Sequence, residues 1–277
     1  MKLEPRYFDR MASGLGDKAR MLPFLLPGRL LDVGSGGGEL ASALASVQGI
    51  EVTALDMHPD SVARLRARPE LAGVVQAMAD QAPALLPAAS FDTIVCCSVL
   101  HEVYSYGSST SLALFDALDE TMAGLVSLLR VGGRLIIRDG VMPAHPAQPA
   151  SVTTTDPAIF EDYLALSPHP ELALVRDGDT FHGTRHTVSE AVFTIGWGAG
   201  SLQREALERF ELFTLEDYSA YASGFGLRML HASSVTQPGY QQALAALDIR
   251  SEGEEWFPET NGLWVFERTA AEAQQGR

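Results

Sequence analysis

The sequence predicts an α/β fold with a doubly wound, mostly parallel sheet of seven strands. Two observations predict it: short apolar runs alternate with segments of helical composition, and a glycine-rich turn follows the first apolar run. Such alternation is typical of a parallel sheet whose strands are joined by right-handed helical crossovers. The predicted strands are 29–33, 51–55, 74–78, 91–99, 134–138, 227–233 and 263–268.

Helical composition fills three of the four connections between the first five strands. The helix predicted at 112–129 ends before Arg130-Val131-Gly132-Gly133, where paired glycines form a helix stop and a turn. The other predicted helices are 39–47 and 59–68.

The regular alternation stops after the fifth strand. Prolines at 143, 146 and 149 predict a loop there, and helices at 158–166 and 201–213 flank a strand-like or irregular stretch at 187–197. We interpret 141–213 as a largely helical insertion that binds substrate or forms a lid. The core domain is then 1–140 and 214–277, with 1–27 as an N-terminal lid segment.

Composition is that of an ordinary globular enzyme. The 277 residues are 46% hydrophobic and 20% charged, without a long uncharged apolar stretch or a leader-like N-terminus, so we expect a cytoplasmic protein that does not enter a membrane. The net charge is −15 and no Lys/Arg cluster is visible. A long nucleic-acid partner is therefore not expected, because gripping phosphates requires a basic surface.

Two strand ends carry the residues expected of a nucleoside-binding site. The first strand leads into Asp32-Val33-Gly34-Ser35-Gly36-Gly37-Gly38, and the second ends at Asp56. Ligands of open parallel sheets lie beyond the carboxyl ends of the strands, where a carboxylate can accept hydrogen bonds from ribose hydroxyls. The dinucleotide fingerprint would require glycine at 39, but Glu39 stands there and its charge competes with a pyrophosphate.

Five segments resemble the motifs of class I S-adenosylmethionine-dependent methyltransferases, in the order of that family. The glycine segment resembles its first motif. Val52–Met57 and Ala77–Gln81 resemble the second and third motifs. Leu86–Asp92 and Leu128–Leu135 resemble the leads into its fourth and fifth strands. The set covers about half of the chain, from 28 to 140.

The resemblance implies a Rossmann-like methyltransferase fold, with S-adenosylmethionine as cofactor and S-adenosylhomocysteine as product. It places Asp56 on the ribose, Met57 on the adenine, and Asp80 or Gln81 at the adenine amino group. Tyr7 and Arg20 are expected to reach the methionine carboxylate from the lid segment. The remaining predicted cofactor residues are Asp32, Gly34, Ser35, Gly36, Gly38 and Ser98.

The segment after the fourth strand should face the transferable methyl group. His101 is a candidate general base because imidazole titrates near neutral pH, and Glu102 could orient it or act itself. The alternatives are that His101 only packs or binds adenosine, and that methyl transfer proceeds by positioning alone.

Candidate acceptor contacts are Tyr104, Tyr106, Arg138 and Trp197, although Arg138 could instead anchor the insertion and Trp197 could fill its core. Cys96 and Cys97 are predicted to be core residues. His182 and His186 lie four residues apart near Glu190, but the intervening Gly183-Thr184 weakens the helix that would align them, so no metal is predicted.

The predicted function is transfer of a methyl group to a small-molecule oxygen or nitrogen by in-line displacement, in a monomer or homodimer. Within the class, the alternative acceptor is a peptide, protein or RNA. Outside the class, the alternatives are a nucleotide-dependent oxidoreductase and a non-catalytic nucleoside-binding protein.

Overall fold

The computed structural model describes residues 15–107, 114–252 and 259–270. They form two compact units. The first unit contains 15–107, 114–138, 217–233 and 263–270. The second unit contains 139–216, 234–252 and 259–262. None of the helices within these described ranges is long and apolar enough to cross a membrane.

The strands alternate with helices through the first half of the chain. The strands are β1 (Gly28–Val33), β2 (Ile50–Asp56), β3 (Gly73–Gln76), β4 (Phe91–Cys97), β5 (Leu129–Gly140), β6 (Pro149–Thr153), β7 (Val175–Asp177), β8 (Thr180–Thr184), β9 (Leu227–Val235), β10 (Arg250–Glu252) and β11 (Asn261–Arg268). The helices are α1 (Leu15–Lys18), α2 (Glu39–Ala45), α3 (Pro59–Arg66), α4 (Ala82–Leu85), α5 (Leu100–Tyr106), α6 (Leu114–Leu128), α7 (Ala158–Leu166), α8 (Arg185–Gly196), α9 (Leu202–Glu205), α10 (Leu215–Ser223) and α11 (Tyr240–Ala246).

The predicted seven-stranded sheet is confirmed, with the strand order β3-β2-β1-β4-β5-β11-β9. Strand β1 pairs in parallel with β2 and β4, and β2–β3 and β4–β5 are also parallel. The strand order reverses between β1 and β4, and the carboxyl ends of these two strands meet at that point. A ligand site of an open parallel sheet is expected at this switch point.

The sequences of the central strands are continuous apolar runs because both faces of the sheet are buried. In β4 every residue except Asp92 is buried. Leu30, Val52, Val95 and Ile136 come from four different strands and share one hydrophobic cluster in the first unit. A parallel sheet covered by helices on both sides requires this composition.

The second unit is mixed α/β, which differs from the largely helical insertion that the sequence predicts. It contains a four-stranded sheet in the order β10-β6-β8-β7, with antiparallel pairing throughout. The prolines predicted a loop where the structure has strand β6. Pro149 is the first residue of that strand, a position where a missing N–H is tolerated. Phe160 and Phe181 stack at a centroid distance of 4.7 Å within its core.

Two local predictions in the insertion are wrong. The strand-like stretch 187–197 is helix α8, because Thr184 caps its N-terminus and nine consecutive residues, 187–195, are buried, so packing overrides the β-branched composition. The helix predicted at 201–213 is limited to α9. The amides of Phe210 and Glu211 donate instead to the carboxylate of Glu190.

The second unit also takes in 234–252, which the sequence assigned to the core. Strand β10 pairs with β6. Leu244 and Ile249 pack into the same hydrophobic cluster as Phe160. The insertion is therefore built from two separate stretches of chain.

Candidate active site

A glycine turn and an acidic strand end are tied together at the carboxyl edge of the sheet. Gly34, Gly36 and Gly38 have φ values of 70°, 55° and 88°, a region that residues with a side chain rarely adopt. The N–H of Gly36 donates to Oδ2 of Asp56 at 2.8 Å, and the N–H of His58 donates to Oδ1 of Asp56 at 2.8 Å. Asp56 therefore holds the turn after β1 against the end of β2.

Position 34 requires glycine for a steric reason as well as for its backbone angle. A Cβ atom at this position would lie 2.6 Å from Cγ2 of Val99, the residue that precedes α5. The first and fourth strands can therefore end side by side only because no side chain stands at 34.

Asp32 is a buried carboxylate with an unused oxygen. The residue is 1% exposed, and within the described part of the chain its Oδ2 has no hydrogen-bond partner. Burial raises the pKa of Asp32 from 3.8 to about 7, against the lowering effects of Ser35 and Lys18. An acceptor left unpaired at this depth is costly unless a ligand supplies a donor.

Asp32 lines a small cavity beside the glycine turn. Lys18 of α1 and Cys97, the last residue of β4, line the same cavity. The cavity is lined by Lys18, Asp32, Gly34, Ser35, Gly37, Glu39, Leu40 and Cys97.

Residues predicted to hold a purine lie next to Asp56. The Met57 side chain is 61% exposed, although methionine normally packs inside. The N–H of Ala77 donates to the carbonyl of Asp56 at 3.1 Å, which brings the segment after β3 to the same edge. Asp80 and Gln81 follow in a short 3₁₀ turn, where Oε1 of Gln81 accepts the N–H of Met78 at 3.1 Å.

Ser98 and Arg138 join the ends of β4 and β5. Ser98 has a φ of 55°, and its N–H donates to the carbonyl of Arg138 at 2.7 Å. Nη1 of Arg138 donates to Oγ of Ser98 at 2.8 Å. Nε and Nη2 of Arg138 both lie against Oδ2 of Asp17, at 2.8 and 2.7 Å.

Arg138 forms an ion pair with Asp17, whereas the sequence predicted that it contacts the methyl acceptor. Asp17 also accepts from Nη1 of Arg20 at 3.3 Å, and Nη2 of Arg20 donates to Oγ of Ser233 at 2.7 Å. Arg138 therefore ties α1 to the sheet, and Arg20 ties the 3₁₀ turn that follows α1 to β9. Sequence reasoning missed Asp17 and Lys18, because neither belongs to a recognisable motif.

The candidate catalytic residues lie in α5, directly after the end of β4. His101 and Tyr104 are both buried at 5% exposure, while Glu102 is half-buried. Tyr104 contacts the ring of Phe115 edge-on at 5.0 Å. Tyr106, the last residue of the helix, is 47% exposed.

Two predicted site residues are not among the described residues of the first unit. Trp197 follows α8 in the second unit, where it is half-buried and its N–H donates to the carbonyl of Thr194 at 3.2 Å. Tyr7 falls outside the described residues.

A family model described as "Methyltransferase domain" matches residues 31–137. The match begins within β1 and ends within β5, so it includes the glycine turn, Asp56 and α5. Residues 31–137 therefore form a methyltransferase domain, and they are similar to the class I S-adenosylmethionine-dependent methyltransferases. The match covers most of the residues that carry the predicted motifs.

Curated methyltransferases are similar to part of the chain. A ubiquinone biosynthesis O-methyltransferase from Xanthomonas campestris pv. campestris is 39% identical over 118 residues, which are 40% of this chain and 43% of that protein. The chain thus spans less than half the length of the curated relatives that it matches.

Two solved structures share the fold. A Mesorhizobium loti S-adenosylmethionine-dependent methyltransferase has a TM-score of 0.56 at 16% identity, over 93% of this chain and all of that one. Burkholderia thailandensis 1,6-didemethyltoxoflavin-N1-methyltransferase, with S-adenosylhomocysteine bound, has a TM-score of 0.54 at 16% identity, over 96% of this chain and 82% of that one.

The residues present fit S-adenosylmethionine, the cofactor of this methyltransferase family. The unused oxygen of Asp32 suits the amino group of the methionyl part, and Lys18 offers a cation to its carboxylate. Asp56 keeps lone pairs for ribose hydroxyls beyond the two amides that it accepts. Exposed Met57 offers an apolar surface to adenine.

Proposed function

We propose that this methyltransferase transfers the methyl group of S-adenosylmethionine to an oxygen or nitrogen atom of a small molecule. The observation that carries the proposal is the pairing of an unsatisfied buried carboxylate, Asp32, with a glycine turn fixed by Asp56. When bound, S-adenosylmethionine supplies an electrophilic methyl group on its sulfonium.

A small acceptor is supported by the names of the similar proteins and by charge. One relative is named an O-methyltransferase of ubiquinone biosynthesis, and one structural neighbour an N1-methyltransferase of 1,6-didemethyltoxoflavin. The net charge of −15 disfavours an RNA acceptor, because phosphates would be repelled. Acceptor binding by the insertion, with Trp197 and Tyr106, stays a prediction.

His101 is the proposed proton acceptor and Glu102 its orienting group. The imidazole lies in the first turn of α5, which begins three residues after the end of β4. It is buried, so water competes little for a proton released by an acceptor hydroxyl or ammonium. Arg138 is better placed to hold Ser98 and α1 than to contact an acceptor.

Turnover measurements on His101→Ala test the assignment. Formation of S-adenosylhomocysteine is followed with a panel of phenols, heteroaromatic amines and aliphatic amines as acceptors, with a methylated peptide or RNA product sought in parallel. We expect turnover on a small molecule, lowered by about 10²- to 10⁴-fold in the variant. The control is Glu51→Ala, since Glu51 is exposed at the start of β2, away from the carboxyl ends of the strands, and its loss leaves turnover unchanged.

Two outcomes would contradict the proposal. Methylation confined to peptides or RNA would exclude a small-molecule acceptor. Full turnover in His101→Ala would remove the base, while leaving the cofactor site intact.

A further inference from the structure

Three side chains of metal-binding type converge inside the second unit. His186 and Glu190 lie one turn apart on α8, and Glu211 joins them from the segment after α9. One ligand atom from each lies within 4.8 Å of the other two. Glu190 and Glu211 are 0% and 1% exposed. Buried carboxylates at this separation need a compensating charge or a proton.

Hydrogen bonds orient the two carboxylates toward a common point. Glu190 accepts the N–H of Phe210 on Oε1 at 2.6 Å and the N–H of Glu211 on Oε2 at 2.9 Å. Oε1 of Glu211 accepts from the hydroxyl of Ser189. Within the described chain, Oε2 of Glu211 has no hydrogen-bond partner, although the side chain is fully buried.

The imidazole of His186 places one ring nitrogen near the carboxylates. Nε2 lies 3.9 Å from Oε2 of Glu190 and has no hydrogen-bond partner among the described residues. The backbone carbonyl of Glu211 accepts a hydrogen bond from the ring, and the donor is Nδ1 because Nε2 has no such partner. Histidines that bind metals commonly donate from one ring nitrogen in this way and coordinate with the other.

We propose that His186, Glu190 and Glu211 bind a divalent transition-metal ion such as Zn²⁺. One imidazole and two carboxylates, with water as a fourth ligand, form a donor set that suits Zn²⁺, Mn²⁺ or Fe²⁺. Ser189 and the amides of 210 and 211 supply the outer hydrogen bonds that hold such ligands in place.

The site revises the expectation that this region binds no metal. His182, which the sequence paired with His186, lies exposed on β8 and is not part of the cluster. Glu211 replaces it, from a segment that sequence spacing could not connect to α8. The ion would cross-link α8 to the segment after α9, and the proposal is independent of the methyl-transfer reaction.

Metal binding is tested on the full chain without an affinity tag. Bound metal is measured by mass spectrometry after purification, and the chelator-treated protein is titrated with Zn²⁺ by calorimetry and with Co²⁺ by visible absorption. We expect one ion per chain, Co²⁺ d–d bands and a raised Tm. Zn²⁺ affinity should fall at least about 100-fold in His186→Gln and in Glu211→Gln, because a ligand is lost.

His182→Gln is the matched control, since it removes an exposed histidine of the same unit and should bind Zn²⁺ as the unchanged protein does. If Glu211→Gln does not fold, His186→Gln decides the question, because it leaves both buried carboxylates in place. The proposal is overturned if the unchanged protein binds neither Zn²⁺ nor Co²⁺, or if both variants bind Zn²⁺ with unchanged affinity. A protonated carboxyl band in the infrared spectrum of a metal-free protein would then identify a shared proton instead.

Discussion

Oδ2 of Asp56 accepts the N–H of Gly36 at 2.8 Å, so the acidic end of β2 and the glycine turn after β1 form one rigid element. The second carboxylate oxygen accepts the N–H of His58 at 2.8 Å. The aspartate is thereby oriented before any ligand arrives, which lowers the entropic cost of binding.

Replacing Asp56 with asparagine should weaken S-adenosylhomocysteine binding by roughly 10- to 100-fold, because hydrogen bonds to a charged acceptor are lost. Calorimetry of the variant measures this directly. Asp60→Asn is the control, since Asp60 lies four residues away with a side chain that is 70% exposed. Equal affinity in Asp56→Asn and the unchanged protein would show that Asp56 does not hold the ribose.

Gly34→Ala should destabilise the fold more than Gly132→Ala. Both glycines have a positive φ, near 70° and 77°, which costs alanine about 1–2 kcal/mol. Only at 34 does the added Cβ meet another group, Val99 at 2.6 Å, whereas at 132 it meets nothing within 4 Å. Denaturant unfolding gives both free energies of unfolding. Equal losses would mean that the turn and α5 move apart at no cost.

The pH dependence of stability should report the protonation of Asp32. The folded state keeps this carboxyl protonated up to about pH 7, whereas its usual pKa is 3.8, so unfolding releases a proton between these values. The free energy of unfolding therefore falls as pH rises through this window. Relative to that of Asp32→Asn, the free energy of unfolding of the unchanged protein should fall by up to about 4 kcal/mol across this window. Above pH 7 the difference between the two proteins should stay constant.

The comparison uses urea unfolding of both proteins at a series of pH values. A difference between them that stays flat, or that grows with pH, would show that Asp32 is ionised in the folded state. The ligand offers a second measurement: a cationic amino group beside Asp32 favours the carboxylate, so binding below pH 7 should release a proton to the buffer.

Asp17→Asn should lower the free energy of unfolding by about 3–5 kcal/mol, because Arg138 would be left as an unpaired buried cation. The side chains of Arg138 and Asp17 are 8% and 2% exposed. Glu267→Gln is the control, since its partner Arg228 is 61% exposed and such surface pairs contribute less than about 1 kcal/mol. Similar losses in Asp17→Asn and Glu267→Gln, measured by urea unfolding, would contradict a structural role for the buried pair.

The sheet and the cofactor edge could be predicted because both depend on short stretches of chain. Apolar runs mark the strands, and the position after each strand places Asp32, Gly36 and Asp56 at one edge. Asp17 could not be found in this way, because its partner Arg138 is 121 residues away and neither lies in a motif that requires the other.

The insertion was harder to predict because its local signals conflict with its packing. Val188, Val192 and Ile195 favour a strand, yet burial and the cap at Thr184 make them helical. Glu211 is a further case, since only the folded chain shows that its amide and that of Phe210 turn away from helix α9 toward Glu190.

Isothermal calorimetry with S-adenosylhomocysteine, NAD⁺ and NADP⁺ tests the central claim most directly. The account predicts one site per chain for S-adenosylhomocysteine, weakened in Asp56→Asn, and no heat from either dinucleotide. Binding of NAD⁺ or NADP⁺ together with no binding of S-adenosylhomocysteine would contradict it.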